Sequence, residues 1–111
     1  MAKPKERLLS AVSQDALLLL GQRVREARLA RRMTTSELVV RTGISRSLVQ
    51  RIERGDPACA IGAVFEAAAV CGVPLFETEP HALAASLARQ TEKMALLPKA
   101  VRKPLEVNDD F

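Results

Sequence analysis

The chain has 111 residues, 48% of them hydrophobic and 3% aromatic, and it carries a formal net charge of +4. This length suits one small domain with extensions and excludes a second large domain, and the scarcity of aromatic residues predicts an aliphatic, alanine-rich core. Because the chain has neither Tyr nor Trp, it also lacks the base-stacking platforms of proteins that bind single-stranded nucleic acid.

The first predicted element is an N-terminal arm, residues 1–13, which fits either a short helix or a frayed end. A long helix is predicted from residue 14 or 15 to Arg32. One charged residue, Arg28, falls within its apolar stripe and needs a charged partner. The stripe consists of Leu17, Leu20, Val24, Ala27 and Arg28.

Two short helices joined by a tight turn are predicted next. Thr34, with Glu37 three residues later, forms a capping box, which predicts that Thr34 caps the first of them. Gly43 can adopt the left-handed conformation that ends this helix and reverses the chain. Ser45 then caps the second helix, which Gly55 ends. Two helices with so short a connection predict a helix-turn-helix unit that binds duplex DNA.

The second of these helices is predicted to have one buried and one exposed face. Val49 and Ile52 lie three residues apart and are predicted to face the core. The opposite face is polar and can reach base edges in the major groove, where Arg favours guanine and Gln favours adenine. The predicted base-reading residues are Arg46, Ser47, Gln50 and Arg51.

Phosphate contacts are predicted around the same unit. The positive N-terminus of a helix attracts phosphate groups, and hydroxyl groups near it can donate hydrogen bonds to them. Arg54, beyond the second helix, fits either a phosphate contact or a solvated side chain. The predicted phosphate-contacting residues are Thr35, Ser36, Ser45 and Arg54.

The charge distribution favours the same part of the chain. Residues 1–57 hold 12 Lys and Arg against 6 Asp and Glu, whereas residues 58–111 hold 5 against 7. Such a basic excess is the electrostatic footprint of a surface that faces phosphates. Four arginines of the long helix fit equally well a phosphate-facing surface and a solvated helix face. These are Arg23, Arg25, Arg31 and Arg32.

An alanine-rich helix is predicted from Ile61 to Cys71, and Gly72 ends it. Its core-facing residues are predicted to be Ile61, Val64, Phe65, Ala68 and Cys71. The following segment, near residues 73–78, is extended by composition. A single short strand is not stable alone, so this one is predicted to pair with its equivalent in a second subunit. The residues assigned to this dimer contact are Val73, Leu75 and Phe76.

A C-terminal helix is predicted over residues 80–97, with Pro80 in its first turn. Its narrow apolar stripe fits either packing on its own domain or contact with a second subunit or a partner protein. The stripe consists of Leu83, Leu87, Met94 and Leu97. Residues 98–111 contain two prolines and a basic-to-acidic gradient, which predicts a flexible tail.

The cysteines and the histidine of the chain indicate neither a catalytic site nor a metal site. Cys59 and Cys71 have no second cysteine pair, nearby His or secretory signal, which predicts a reduced, cytoplasmic chain with Cys71 in the core. His81 has no ligand partners. No nucleophile lies near a His, and there is no glycine-rich phosphate loop. We therefore expect no enzyme activity, no cofactor and no metal ion.

From about Leu20 to Leu75 the chain resembles the Xre/Cro family of phage-repressor-like DNA-binding domains. The matching residues are Leu20-Gly21, Val24-Arg25, Arg28, Thr34, Ser36-Glu37-Leu38, Thr42 to Ser47, and Arg51 to Gly55. The resemblance implies an all-α fold: a five-helix domain similar to that of lambda repressor, with a short dimerising strand, a C-terminal helix and a flexible tail. The chain then divides into residues 1–13, 14–79, 80–97 and 98–111.

The resemblance also implies a structural ion pair, because an Arg at the position of Arg28 commonly pairs with the Glu that matches Glu53. Two residues depart from the family pattern. Thr35 stands where the family often has a DNA-contacting Gln, which shortens one contact. Val39 replaces the usual Ala, which alters the packing between the two short helices.

The tail resembles the endings of antitoxin-type Xre regulators encoded beside HipA-like toxins, in which a basic Leu-Pro-Lys segment precedes an acidic stretch ending in Phe. HipB-like antitoxins also join their subunits partly through a strand after the fourth core helix. These resemblances imply a homodimeric repressor, associated with the nucleoid, that binds an inverted-repeat operator and a HipA-like kinase toxin. The alternative is a stand-alone phage-type repressor without a toxin partner.

Overall fold

The computed structural model of the chain describes residues 8–76 and 79–104. These residues form five helices and no strand, which confirms the all-α prediction for them. The helices are α1 (Ala11–Ala30), α2 (Thr35–Thr42), α3 (Arg46–Glu53), α4 (Ile61–Cys71) and α5 (Pro80–Ala95). Within the described ranges, no helix combines the length and the apolar character that crossing a membrane would require.

The ends of α2 and α3 are set by side-chain caps and a glycine, as predicted. The Thr34 hydroxyl oxygen accepts the N–H of Glu37 at 3.0 Å. The Ser45 hydroxyl oxygen likewise accepts the N–H of Leu48 at 3.1 Å. Gly43 has a φ of 74°, which is the left-handed conformation that lets the chain reverse between the two helices. The helix-turn-helix geometry therefore follows from local interactions.

Helix α1 begins and ends earlier than predicted. The Ser10 hydroxyl oxygen accepts the N–H of Ser13 at 3.2 Å, and this cap starts the helix at Ala11, within the predicted arm. The helix ends at Ala30 because Arg32 adopts a left-handed φ of 53°. Residues 1–7 of the predicted arm lie outside the described residues.

The core lies between α1, α2, α3 and α4 and is aliphatic, as the composition predicts. Its buried apolar residues are Val24, Met33, Leu38, Ile44, Val49, Ile52, Ala67, Ala68, Cys71 and Val73. Cys71 is 1% exposed, and burial raises the pKa of its thiol, so this side chain is a protonated core residue. The prediction for Ile61 is wrong: it is 69% exposed, because it lies in the first turn of α4, beyond the edge of the core.

The predicted dimerising strand near residues 73–78 is not seen in the described residues, and positions 77 and 78 lie outside them. Val73 is buried and Leu75 is half-buried, and both pack against the chain's own core. Phe76 has a φ of 56°, which interrupts extended backbone. Its ring is 74% exposed and meets Phe65 edge to face, with the centroids 6.2 Å apart. An extended segment therefore does not continue through Phe76.

Helix α5 ends at Ala95, two residues before its predicted end. Near its start, Leu83 is half-buried, but from Leu87 to Pro104 every residue is exposed. The predicted apolar stripe is therefore partly covered only at its N-terminal end. Residues 105–111 of the predicted tail lie outside the described residues.

Candidate nucleic-acid interface

Helix α3 packs closely on α1 because a glycine lies at the contact. A Cβ atom on Gly21 would lie 2.5 Å from the carbonyl oxygen of Ile52 and 2.8 Å from that of Glu53, distances that a real Cβ does not adopt. Only a glycine therefore allows the end of α3 to lie this close to α1. The position of α3 relative to the rest of the domain depends on this contact.

The structure brings Arg28 and Glu53 together beside the same contact. Arg28 Nε donates to Glu53 Oε2 at 2.8 Å, and its Nη2 donates to Oε1 at 3.0 Å, which is a bidentate ion pair. Its Nη1 donates to the carbonyl oxygen of Met33 at 2.9 Å. The hydrogen bond to Glu53 raises the pKa of Arg28, although burial opposes this effect. The pair links α1, α3 and the segment that leads into α2.

The outer face of α3 carries four of the predicted polar residues. Arg46, Ser47, Gln50 and Arg54 are exposed, whereas Arg51 is partly buried. Ser47, Gln50 and Arg54 lie three and four residues apart and so share one face. Arg54, which directly follows α3 as the sequence predicted, therefore shares the face of the predicted base readers.

Two residues predicted for different roles contact each other where α2 and α3 begin. Arg46 Nη2 donates to the hydroxyl oxygen of Ser36. The hydroxyl of Ser45 accepts a main-chain N–H as a cap, yet it keeps its own proton to donate. Several hydrogen-bond donors therefore lie at the positive N-terminal ends of α2 and α3, where they could bind a phosphate oxygen. They belong to Ser36, Ser45 and Arg46.

An open polar cleft of about 370 Å³ lies beside the outer face of α3. Its lining residues are Arg25, Arg28, Thr35, Gln50, Glu53 and Arg54. Since Glu53 pairs with Arg28, the cleft has two further guanidinium groups, on Arg25 and Arg54. The sequence left Arg25 open between phosphate contact and solvation, although its position one turn before Arg28 is a signal that it shares that side of α1.

The other three arginines that the sequence left undecided do not line this cleft. Arg31 Nη1 donates to the carbonyl oxygen of Val70 at 3.1 Å, in the last turn of α4. An unsatisfied helix-end carbonyl therefore gains a charged donor. Arg32 adopts the left-handed conformation that follows α1, and Arg23 is an exposed residue of α1. Of the four arginines that the sequence left undecided, Arg25 is the one in the cleft.

Arg51 forms an ion pair that sequence reasoning missed. Its Nε donates to Oδ2 of Asp56 at 2.8 Å. Spacing alone does not indicate this pair, because residues five positions apart are not neighbours on a helix face. The contact arises because Gly55 has a φ of 76° and turns the chain back toward α3.

The described residues contain no candidate metal site. In residues 8–76 and 79–104, no group of three or more His, Cys, Asp and Glu side chains could hold a metal ion. What the described residues do present is a capped helix with a polar outer face, an anchored inner face and arginines beside it. That arrangement defines a DNA-binding helix-turn-helix protein.

The family comparison agrees with this class. A family model described as a helix-turn-helix domain matches residues 19–80, which is more than half of the chain. The protein belongs to this helix-turn-helix family, whose members bind DNA and are typically not enzymes. Neither a curated protein nor a solved structure matches the chain significantly.

Proposed function

We propose that this protein is a sequence-specific transcriptional repressor that inserts α3 into the major groove of duplex DNA. The observation that carries the proposal is the two-sided character of α3. Val49 and Ile52 are 1% and 3% exposed, so the helix is anchored by its apolar side. Ser47 and Gln50, on its other side, are exposed and free to meet base edges.

In the proposed complex, one set of residues contacts base edges and a second set contacts phosphates. Base edges are read by Arg46, Ser47, Gln50 and Arg51. Phosphates are bound by Thr35, Ser36, Ser45 and Arg54, and we add Arg25 to this set because it shares the cleft with Arg54 and Gln50. Phosphate contacts fix the register of the protein on the duplex, and base contacts select the sequence.

Arg54→Ala should lower the steepness of the salt dependence of DNA binding by about one unit in a plot of log K against log salt concentration. The reason is that one lost phosphate contact releases about one condensed counterion fewer. Gln50→Ala should leave this slope unchanged and relax the preference at one base position. The measurement is a salt titration by fluorescence anisotropy, using a duplex that the full-length wild type selects from a random-sequence library.

Arg89→Ala is the matched control, because it removes the same charge from α5. It should leave the slope unchanged. Equal slope changes for Arg54→Ala and Arg89→Ala would contradict the assignment of Arg54 to a phosphate, since net charge alone would then explain both. A wild-type protein that enriches no duplex from the library would contradict sequence-specific binding itself.

We also propose that two copies of the chain associate, so that two α3 helices meet an inverted repeat about one DNA turn apart. The exposed stripe of α5 supports this proposal, since Leu87 is 65% and Met94 is 55% exposed. A second copy offers the same stripe, so antiparallel pairing of two α5 helices is self-complementary. Among the residues predicted for the dimer contact, Phe76 is the exposed one and stays assigned to it.

Leu87→Glu should convert the dimer to a monomer, because it places a charge within the proposed apolar contact. Sedimentation equilibrium of the full chain measures this directly. Leu96→Glu is the control: Leu96 is 87% exposed and directly follows α5, and its separation of nine residues from Leu87 places it on the opposite side of the helix axis. A dimer that survives both substitutions, or a wild-type chain that is monomeric, would show that α5 does not join two copies.

The second candidate function is an antitoxin that represses its own operon and also binds a HipA-like kinase toxin. It is favoured by the continuous exposure of residues 87–104 and by the resemblance of the tail to antitoxins of this type. The test is co-expression of the tagged full chain with the product of the neighbouring reading frame. A purified complex that binds the selected duplex supports the antitoxin, whereas a dimer that binds the duplex without the neighbour supports the stand-alone repressor.

A further inference from the structure

Asp56 is attached to Arg51 through both its main chain and its side chain. Its N–H donates to the carbonyl oxygen of Arg51 at 3.0 Å, and its Oδ2 accepts from Arg51 Nε at 2.8 Å. Its other oxygen, Oδ1, accepts the N–H of Ala58 at 2.8 Å. Both carboxylate oxygens therefore have hydrogen-bond partners, and these orient the carboxylate in the loop that follows α3.

The contact engages only the inner nitrogen of the guanidinium group. Arginine has five N–H donors in a planar fork, and four of them belong to the two terminal nitrogens. Within the described residues, the side-chain hydrogen bond of Arg51 is the one from Nε. Asp56 thus fixes the orientation of the plane and leaves the terminal pair of nitrogens for another acceptor.

The exposure of the pair argues against a role in stability alone. The side chains of Arg51 and Asp56 are 36% and 29% exposed, and ion pairs this accessible add little to the stability of a fold. The hydrogen bond from Arg51, together with that from Ala58, holds the pKa of Asp56 below its usual value. The carboxylate is therefore charged at neutral pH, where DNA binding is measured, and the contact is intact there.

We infer that Asp56 is a specificity-determining residue that orients Arg51 so that its two terminal nitrogens bind O6 and N7 of a guanine. Two parallel donors match these two acceptors in the major groove. This inference rests on the proposed base-reading role of Arg51 and deepens it. An unrestrained arginine could reach a phosphate instead, and a phosphate contact carries no sequence information. The negative charge of Asp56 also repels phosphates, which disfavours complexes in which Arg51 contacts a phosphate relative to those in which it contacts a base.

Asp56→Asn is the informative substitution, because Asn keeps an oxygen for the N–H of Ala58 and loses the acceptor for Arg51 Nε. Full-length wild type, Asp56→Asn, Arg51→Ala and the double variant are compared on the selected duplex and on duplexes with each base pair replaced in turn. Asp15→Asn, an exposed residue of α1, controls for the change in net charge. Thermal unfolding of each variant reports whether the fold is retained.

Arg51→Ala is expected to remove a guanine preference of roughly 5- to 150-fold at one base pair. Asp56→Asn should reduce the preference at that base pair by no more than Arg51→Ala does, leave other positions unchanged and raise affinity for unrelated duplexes. The double variant should show the same guanine preference as Arg51→Ala. Full guanine preference in Asp56→Asn, or an equal loss at all positions, overturns the inference alone. Unchanged preference in Arg51→Ala overturns the inference and the base-reading assignment of Arg51. A wild type with no preferred duplex overturns both together with the proposed function.

Discussion

Gly21→Ala is expected to lower the free energy of unfolding by about 1–2 kcal/mol and to weaken DNA binding. The new Cβ would lie 2.5 Å and 2.8 Å from the carbonyl oxygens of Ile52 and Glu53. Main-chain oxygens cannot rotate away as side chains do, so α1 and α3 must move apart. Such overpacking costs ~1–3 kcal/mol, and the higher helix propensity of Ala offsets at most ~1 kcal/mol of it. Because α3 is the proposed reading helix, its displacement also changes which base edges it reaches.

Gly62→Ala is the control for helix propensity. Gly62 lies in α4, and no heavy atom lies within 4 Å of the position of its Cβ. This variant should be more stable than wild type by up to ~1 kcal/mol, with unchanged DNA binding. Urea unfolding followed by far-UV circular dichroism measures both variants, since the chain has no Trp or Tyr to report by fluorescence. Similar gains in stability for both would contradict a space limit at the α1–α3 contact.

Glu53→Gln should destabilise the protein by ~3–5 kcal/mol, the loss typical of a buried ion pair from which one partner is removed. Arg28 is 8% exposed, and this substitution leaves its mostly buried charge without a carboxylate. The hydrogen bond from Arg28 to the Met33 carbonyl would remain, but it cannot neutralise the charge. The shift in the urea midpoint at constant slope gives the change in free energy.

The double variant Arg28→Met/Glu53→Leu separates the burial of an unpaired charge from the loss of the pair. Apolar side chains of similar volume at both positions remove the charge as well as its partner, so this protein should be more stable than Glu53→Gln. If the double variant proved the less stable of the two, the ion pair itself would be the main source of stability at this contact. A Glu53→Gln protein within 1 kcal/mol of wild type would show that Arg28 gains water or another partner when Glu53 is changed.

The residues that end and cap helices were readable from the sequence because their effect depends on a few neighbours. Thr34, Ser45, Gly43 and Gly72 each act within one turn of their own position. The same local reasoning missed the start of α1, where Ser10 caps a helix that was predicted to begin only at residue 14 or 15. Ser10 can cap a helix there, but apolar residues around it lack clear helical periodicity, so periodicity alone does not indicate this start.

The candidate interface was predictable in its location and less so in its detail. Apolar spacing identified Val49 and Ile52 as buried, which made the opposite face of α3 the exposed one. It did not indicate that Arg25 lies in a cleft with Arg54, because these residues are on different helices. Nor did it indicate that Arg31 donates to the end of α4, a contact across 39 residues of sequence.

The sequence by itself determined the helix-turn-helix, its caps, its turn and the apolar face of its second short helix, since these depend on interactions within one or two helical turns. Only the tertiary structure decided that Asp56 holds Arg51, that Ile61 is exposed, and that residues 73–76 pack without forming a strand. These features depend on how far each neighbouring helix extends and on where the loops turn. The sequence shows that positions 21 and 55 are glycines. The close contact at Gly21 and the left-handed turn at Gly55 are seen only in the folded structure, where α1 and α3 pack together.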